Sequence, residues 1–472
     1  MDYKKLGFKC GLEIHQQLQT KEKLFCSCRS QLAPKNSPFL EIKRKLRPVA
    51  GETGEIDIAA LHETFKSKDF IYRSYQNESC AVELDSEPIH LVNTEALYIA
   101  LTIAKMFNCE TPDEIQVMRK IVLDGSAVSS FQRTMLVGLN GYIETGFGKV
   151  GIENVYLEED ACQIIKKEKH KVIYGLDRLG IPLVEIGTTP NIPNPEQAKI
   201  VAEKIGMILR STEKVKKGLG TIRQDLNVSI KGGNRIEIKG VQKLNNIQKL
   251  LENEVKRQEK MILKGKKVTM DVRKAVNNKT KFLRPIPGAF RLYPETDSIT
   301  IQITNEMLSK IKIPEIIEDK IERIKKKYKI NDEIAKQIVK EGKTALFEIL
   351  VKDFEIKLIS ATLTSYMKET DVSQKQVQDI FSLLKKNKIN DPSKESVKEL
   401  LESKDPGAIV DKLKSGEDID IEKIVEKVIN ENPSVTKTGR PENALMGLVM
   451  KETRGKIPGS TVMRIIQKKL KK

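Results

Sequence analysis

The sequence predicts an α+β protein: an antiparallel-sheet-rich first domain followed by helices alone. Three observations carry this. Up to about residue 300, short runs alternate apolar with polar residues between Gly, Pro and Asn signals, the period-two pattern of half-buried strands. Two amphipathic helical segments are interleaved, 94–108 and 194–212. From about residue 304 the apolar residues recur at three- and four-residue spacing in a Lys- and Glu-rich background. The expected domains are 1–300, an all-helical 301–393 and an all-helical tail 394–472, the last break lying in the Asp, Pro, Ser and Lys loop at 390–395.

The expected strands are "CGLEIHQQL" (10–18), "CAVELDSE" (80–87), "GIENVYLEEDA" (151–161), "TIRQDLNVSI" (221–230) and "NRIEIKGV" (234–241). Each presents one polar face, as an antiparallel sheet with one covered side requires. The helix at 194–212 opens with Asn194-Pro195, a capping side chain followed by a residue with preset φ. Later segments such as "NDEIAKQIVKEG" (331–342) and "DVSQKQVQDIFSLLKKN" (371–387) begin at cap residues and place apolar side chains on one stripe.

Lys and Arg number 83 against 65 Asp and Glu, a net charge of +18. Such an excess favours a polyanionic partner, because each cation meeting a phosphate releases counterions. A Lys-rich proteome using Lys for surface solvation is the other reading. The last 22 residues hold eight Lys or Arg and one Glu, more than helix capping needs, and phosphate contact is the favoured role. Six cysteines at irregular spacing form no disulfide framework. No stretch of eighteen apolar residues and no N-terminal apolar core occur, so no membrane association and a cytoplasmic location are expected.

Phosphate-binding GxxxxGK[ST], GxSxG and HExxH patterns are absent. With four histidines in the chain, carboxylates and a metal are the expected tools. In "GLEIH" the alternation puts Glu13 and His15 on one strand face, placed to converge on one ion. "VYLEEDA" sets Glu158, Glu159 and Asp160 in succession, like charges that call for a cation or basic partner. Asp225 in "IRQDL", and Glu237 with Lys239 in "RIEIKG", add to a set of oxygen ligands with one imidazole, suited to Mg²⁺ or Mn²⁺. Any one of these alone is also an ordinary solvated strand face. Cys26 and Cys28 form a CxC pair with no second pair nearby, so buried reduced thiols are the default.

The blocks "GLEIHQQLQTKEKLFCSC", "CAVELDSEP", "VMRKIVLDGSAVSSFQRT", "VYLEEDACQI", "GIPLVEIGTTPNI", "GLGTIRQDLNVSI", "EIKGVQKLNNI" and "RPIPGAFRLYPETD", in this order, resemble the GatB/GatE family of tRNA-dependent amidotransferase subunits. "NALMGLVMKETRGK" resembles the family's tRNA-contacting tail, and "GLGTIRQDLNVSI" and "PGAFRLYPETD" favour the archaeal-type GatE branch over the bacterial-type GatB branch. The resemblance implies a cradle domain, a helical domain and a tail. It implies ATP-dependent phosphorylation of the glutamyl side chain of Glu-tRNA(Gln), then displacement of phosphate by ammonia. ATP and Mg²⁺ are the implied cofactors. Implied partners are tRNA(Gln) charged with Glu and an asparaginase-like subunit (the D-type component) supplying ammonia, in a hetero-oligomer expected to be a heterotetramer.

Carried over residue by residue, the implied metal ligands are Glu13, His15, Glu158, Glu159 and Glu237, of which Glu158, Glu159 and Glu237 are also the catalytic candidates. The nucleotide-side candidates are Arg119, Lys120, Asp225 and Lys239, and the tRNA-binding candidates Arg454, Lys456, Arg464, Lys468 and Lys469. Two departures stand out. Only "RQEKMILKGKKVTMDVRKAVNNKTK" occupies the place where the GatE branch carries an inserted domain, and no second cysteine pair completes a zinc site with the CxC. The alternatives are the bacterial-type GatB branch, acting on Asp- or Glu-tRNA, and a non-catalytic tRNA-binding homologue.

Overall fold

The computed structural model describes residues 1–46, 54–56, 61, 68–122, 124–286, 292–389, 391–414, 421–433, 441–452 and 459–470. The chain divides into two units, Met1–Ile316 and Ile317–Lys472.

The first unit is built on β1 (Lys9–Gln17), whose Leu12 and Ile14 are buried while Glu13 and His15 point to the opposite face. Each buried aliphatic side chain contributes about 1.5–3 kcal/mol, enough to fix which way the strand faces. A one-residue slip would send both acid and imidazole into the core, so the register is strongly specified. β1 pairs antiparallel with β10 (Pro182–Thr188) on one side and β11 (Ile222–Ser229) on the other. Beyond β10 lie β7 (Gly148–Glu159), β6 (Phe131–Thr145), β5 (Val117–Ile121) and β15 (Leu292–Pro294). Beyond β11 lie β12 (Ile236–Val241), β13 (Asp271–Val276) and β14 (Lys279–Pro285), completing a ten-stranded sheet. The β12–β13 pairing is parallel; the sheet is otherwise antiparallel.

The apolar side of this sheet is covered by α1 (Thr94–Met106) and α2 (Pro195–Ser211), with α3 (Ile247–Leu263) packed on α2. The cap expected from Asn194-Pro195 is present: Asn194 Oδ1 accepts the Gln197 N–H at 2.9 Å. A smaller sheet of β2 (Phe39–Arg44), β3 (Asp69–Tyr75), β9 (Lys171–Gly175) and β8 (Gln163–Lys167) has its own core around Phe70, Tyr72, Val172 and Tyr174. β4 (Glu114–Ile115) and β16 (Ile301–Gln302) form a short ribbon.

The strand expected at 80–87 is instead a run of turns. The Glu83 carboxylate accepts the Cys80 N–H at 2.8 Å and Asp85 adopts φ 54°, a left-handed conformation no ladder accommodates.

In the second unit, helices Ile317–Tyr328, Asp332–Lys340, Thr344–Leu350, Gln374–Lys386, Lys394–Glu402 and Pro406–Lys414 contribute to one core around Phe347, Phe381, Leu363, Val397 and Val410. Helices Ile421–Glu431, Pro441–Glu452 and Gly459–Leu470 close a second around Val425, Leu445, Val449, Val462 and Ile466. The expected boundary at 393/394 is therefore not where the cores divide. Ser393 caps the helix at 394–402, but Val397 and Leu400 of that helix are buried against the preceding bundle, and the change of core falls between Leu413 and Ile421.

Candidate active site: two acidic clusters on one sheet face

The polar face of the large sheet gathers its acids through register. Glu13 stands opposite Asp225 on β11, and Glu237 on β12 lies opposite Asn227, two residues further along. Carboxylate oxygens of Glu13, Asp225 and Glu237 fall within 4.8 Å of one another. His15 stands opposite Glu185 on β10, next to which β7 carries Glu158. Ligand atoms of His15, Glu158 and Glu185 likewise lie within 4.8 Å of one another. The single site expected from Glu13 and His15 is thus divided, because each residue reaches sideways to a different neighbouring strand.

Two lysines are set into these acids. Lys239 Nζ lies 2.5 Å from Glu237 Oε1 and 2.8 Å from Asp225 Oδ2. Lys120 Nζ lies 2.6 Å from Glu158 Oε1 and 3.5 Å from Glu185 Oε2. Asn227 donates to Glu13 Oε1 at 2.9 Å. The five carboxylates outnumber the two ammonium groups, and the titration behaviour follows. Burial, then the neighbouring Glu185 and Glu237, push the Glu13 carboxyl up. Burial also raises Glu158, against the pull of Lys120. Glu185 is buried too, but Lys120 and His15 outweigh the desolvation and hold it well below the usual carboxylate range. Burial disfavours the His15 imidazolium, yet Glu185 beside it raises the pKa above the ordinary value. A buried excess of anions is costly unless a cation joins it. Both donor sets fit a hard divalent ion: three carboxylates in one, two carboxylates and an imidazole in the other.

Not every expected residue is brought here. Glu159, next along β7, turns to the opposite face, where Arg133 Nη1 lies 3.3 Å from its Oε1 and Arg133 Nε 2.7 Å from Glu295 Oε2. Arg119 alternates with Lys120 in the same way and pairs with Glu295 and Asp297. Of the tail candidates, Arg464 is exposed on the last helix, Lys468 and Lys469 face Glu422, and Lys469 also pairs with Glu426. Arg454 and Lys456 lie outside the described residues.

Glu185 was not singled out from the sequence. Its signal is present in "PLVEIGT", a lone acid in an apolar strand, but only register shows that it meets His15. The fold also supplies partners for the CxC pair. Cys26, Cys28, Cys80 and Glu83 have ligand atoms within 4.8 Å of one another, a set of thiols and one carboxylate able to hold a thiophilic divalent ion. Lys23 Nζ occupies Glu83 Oε1 at 2.8 Å, and Cys26 Sγ lies 3.1 Å from the same oxygen. Thiol hydrogen bonds from Cys26 and Cys28 hold Cys80 far below the ordinary thiol value.

Among the described residues no helix is long and apolar enough to cross a membrane. The family described as GatB/GatE catalytic domain matches residues 8–309, and that described as GatB domain matches 356–470. The chain is similar to the E-type subunit of glutamyl-tRNA(Gln) amidotransferase from Methanococcus maripaludis (strain C7), 36% identical over 628 positions covering 100% of this chain and 99% of the relative. The protein of the same description from Methanocaldococcus jannaschii is 37% identical over 631 positions, with 100% and 99% covered. That from Thermococcus sibiricus is 35% identical over 625 positions, with 99% and 98% covered. Alignments of that length against 472 residues mean that the relatives carry a long stretch this chain lacks. Matched along its catalytic half and aligned end to end with these relatives, the chain belongs to the GatB/GatE family.

Proposed function

We propose that this chain is the ATP-using subunit of a Glu-tRNA(Gln) amidotransferase, a tRNA-dependent carbon–nitrogen ligase. The observation that carries the reading is the pair of three-ligand clusters on one sheet face of a GatB/GatE-family chain. In the proposed reaction the γ-phosphoryl group of ATP moves to the side-chain carboxylate of the tRNA-linked glutamate, releasing ADP. Ammonia then attacks the acyl phosphate carbon, phosphate leaves, and Gln-tRNA(Gln) results.

Transfer of a phosphoryl group to a carboxylate brings anions together, so charge neutralisation and positioning are what the protein must supply. Mg²⁺ held by Glu13, Asp225 and Glu237, and by His15, Glu158 and Glu185, would supply that neutralisation when bound. Lys120 and Lys239 pair with these acids and fix them in place. Their ammonium groups are engaged by the site's own carboxylates, which suits them to ordering the ligands more than to gripping a nucleotide. Ammonia is assigned to a partner, the asparaginase-like D-type subunit, in a hetero-oligomer of which the heterotetramer is the expected form. The basic tail is assigned to tRNA.

The test is incubation of the purified chain with Glu-tRNA(Gln), ATP, Mg²⁺ and ammonium, scoring Gln-tRNA(Gln) and ADP. Free ammonium bypasses the partner. Formation of both products supports the reading; no ADP above the level without tRNA rules it out.

A further inference from the structure

The loop that follows β1 and the turns at 77–83 are joined by hydrogen bonds of their own. Arg29 donates its N–H to Asn77 O at 3.0 Å, Lys23 Nζ donates to Glu78 O at 2.6 Å, and Gln31 Nε2 to Glu78 Oε1 at 3.1 Å. Three of the six cysteines meet at this junction. Cys26 and Cys28 come from the loop and Cys80 from the turns, with their sulfurs within 4.8 Å of one another. Cys26 is buried, whereas Cys28 and Cys80 are half-buried, so part of each meets solvent. Of the other three, Cys10 and Cys162 are buried and Cys109 is packed against Gly141.

The carboxylate among these sulfurs is already neutralised. Lys23 Nζ is fully buried and donates to Glu83 Oε1 at 2.8 Å and to the Glu78 and Leu176 carbonyls, which uses all three of its protons. The other oxygen, Glu83 Oε2, accepts the Cys80 N–H at 2.8 Å and lies 3.2 Å from Cys80 Sγ and 4.0 Å from Cys28 Sγ. A divalent ion seated among the same donors would stand beside a buried ammonium group whose hydrogen bonds are complete. The low dielectric there strengthens the repulsion. The sulfurs therefore meet as thiols around an ammonium–carboxylate pair. A disulfide needs its sulfurs about 2.05 Å apart, and side-chain rotation can close the gap because the two segments already touch.

We infer that Cys28 and Cys80 form a reversible disulfide that clamps the loop after β1 to the turns at 77–83, with hydrogen peroxide as the oxidant. One sulfur, as thiolate, attacks the peroxide. An S–O bond forms, the O–O bond breaks, and the departing hydroxide takes a proton and leaves as water. The second thiol then attacks the sulfenic sulfur. The S–S bond forms and the S–O bond breaks, the sulfenic oxygen leaving with the second thiol's proton as another water. Two thiols thus give up two electrons, and one peroxide becomes two waters. The inference is independent of the phosphoryl-transfer reading.

The experiment uses the full chain, reduced, freed of reductant and treated with hydrogen peroxide. Its disulfides are mapped by mass spectrometry of peptides before and after dithiothreitol. The expected product is a Cys28–Cys80 cross-link that dithiothreitol reverses, with Cys109 still free. Cys28→Ser and Cys80→Ser should each abolish the cross-link, and Cys109→Ser should leave it. Closing a loop of more than fifty residues is expected to raise the Tm of wild type by about 5 °C on oxidation, and not that of Cys80→Ser. All cysteines still free after peroxide, sulfinic or sulfonic acid at Cys80 without a cross-link, a link through Cys26 alone, or a cross-linked chain with no rise in Tm overturns the inference. A metal bound in the chain as purified, shielding Cys26, Cys28 and Cys80 from both peroxide and iodoacetamide, also overturns it and assigns the cluster to that ion.

Discussion

His15 on β1 and Glu185 on β10 face each other across adjacent strands, Nε2 to Oε2 3.0 Å, with Lys120 Nζ 3.5 Å from the same carboxylate oxygen. The contact holds Glu185 ionised inside a buried, acid-rich face and orients the imidazole toward it. Its partner cluster, Glu13 with Asp225 and Glu237, is built across β1, β11 and β12 by the same rule of register.

Removing one acid from each cluster tests whether both hold metal. Glu158→Gln and Glu237→Gln are each expected to lower ADP formation at least about a hundredfold, and Asp225→Asn/His15→Gln to remove the thermal stabilisation by Mn²⁺. At a concentration a hundred times Kd that stabilisation is about 2.7 kcal/mol per site. Undiminished Mn²⁺ stabilisation of the double variant would count against the assigned ligands.

Glu159 and Glu158 are adjacent in sequence but differ in what they meet, so their variants should separate. Glu159→Gln leaves the clusters intact and is expected to keep ADP formation within about tenfold while costing roughly 1–3 kcal/mol, because the buried Arg133 loses one of its two charged acceptors and keeps only Glu295. Glu158→Gln relieves crowding of like charges and should leave stability close to wild type. Urea unfolding beside the ADP assay reads both; equal loss of activity in the two variants would place Glu159 in the reacting site.

Lys216 gives stability a pH dependence of definite sign. Its folded pKa is pushed down to about 8 by burial, against roughly 10.4 for an ordinary lysine. Between those values the unfolded chain binds more protons, so this group makes stability rise with pH across the window. The difference in Tm between wild type and Lys216→Met should therefore shift in favour of wild type as pH goes from about 8 to about 10. A difference constant with pH would show that Lys216 is not desolvated.

Tail charge should act through phosphates and not through the fold. Arg464→Gln/Lys468→Gln changes two exposed positions on the last helix while leaving Val462 and Ile466 in their core. The expected outcome is weaker tRNA binding at low salt, a log–log salt slope reduced by about 1.4–1.8, and an unchanged Tm. Deleting 451–472 is a poorer test, because it also removes those core residues. Unaltered tRNA affinity in the double variant would remove the tail from the tRNA-binding surface.

By itself the sequence determined the class of each half and, along β1, the face that Glu13 and His15 show. Those follow from local periodicity: Leu12 and Ile14 seek the core, so Glu13 and His15 must point away. It also carried the family, because ordered motifs survive without coordinates. Only tertiary structure decided which acids meet. Glu13 and His15 share a face yet serve different clusters, Glu185 joins through the β1–β10 register, and Glu159 leaves through strand alternation combined with the position of Arg133. Likewise Cys80 and Glu83 reach Cys26 and Cys28 across more than fifty residues. The physical reason is common to all of these. Periodicity is set by each residue's immediate neighbours, whereas pairing across strands is set by the packing of the whole sheet, which no local spacing records.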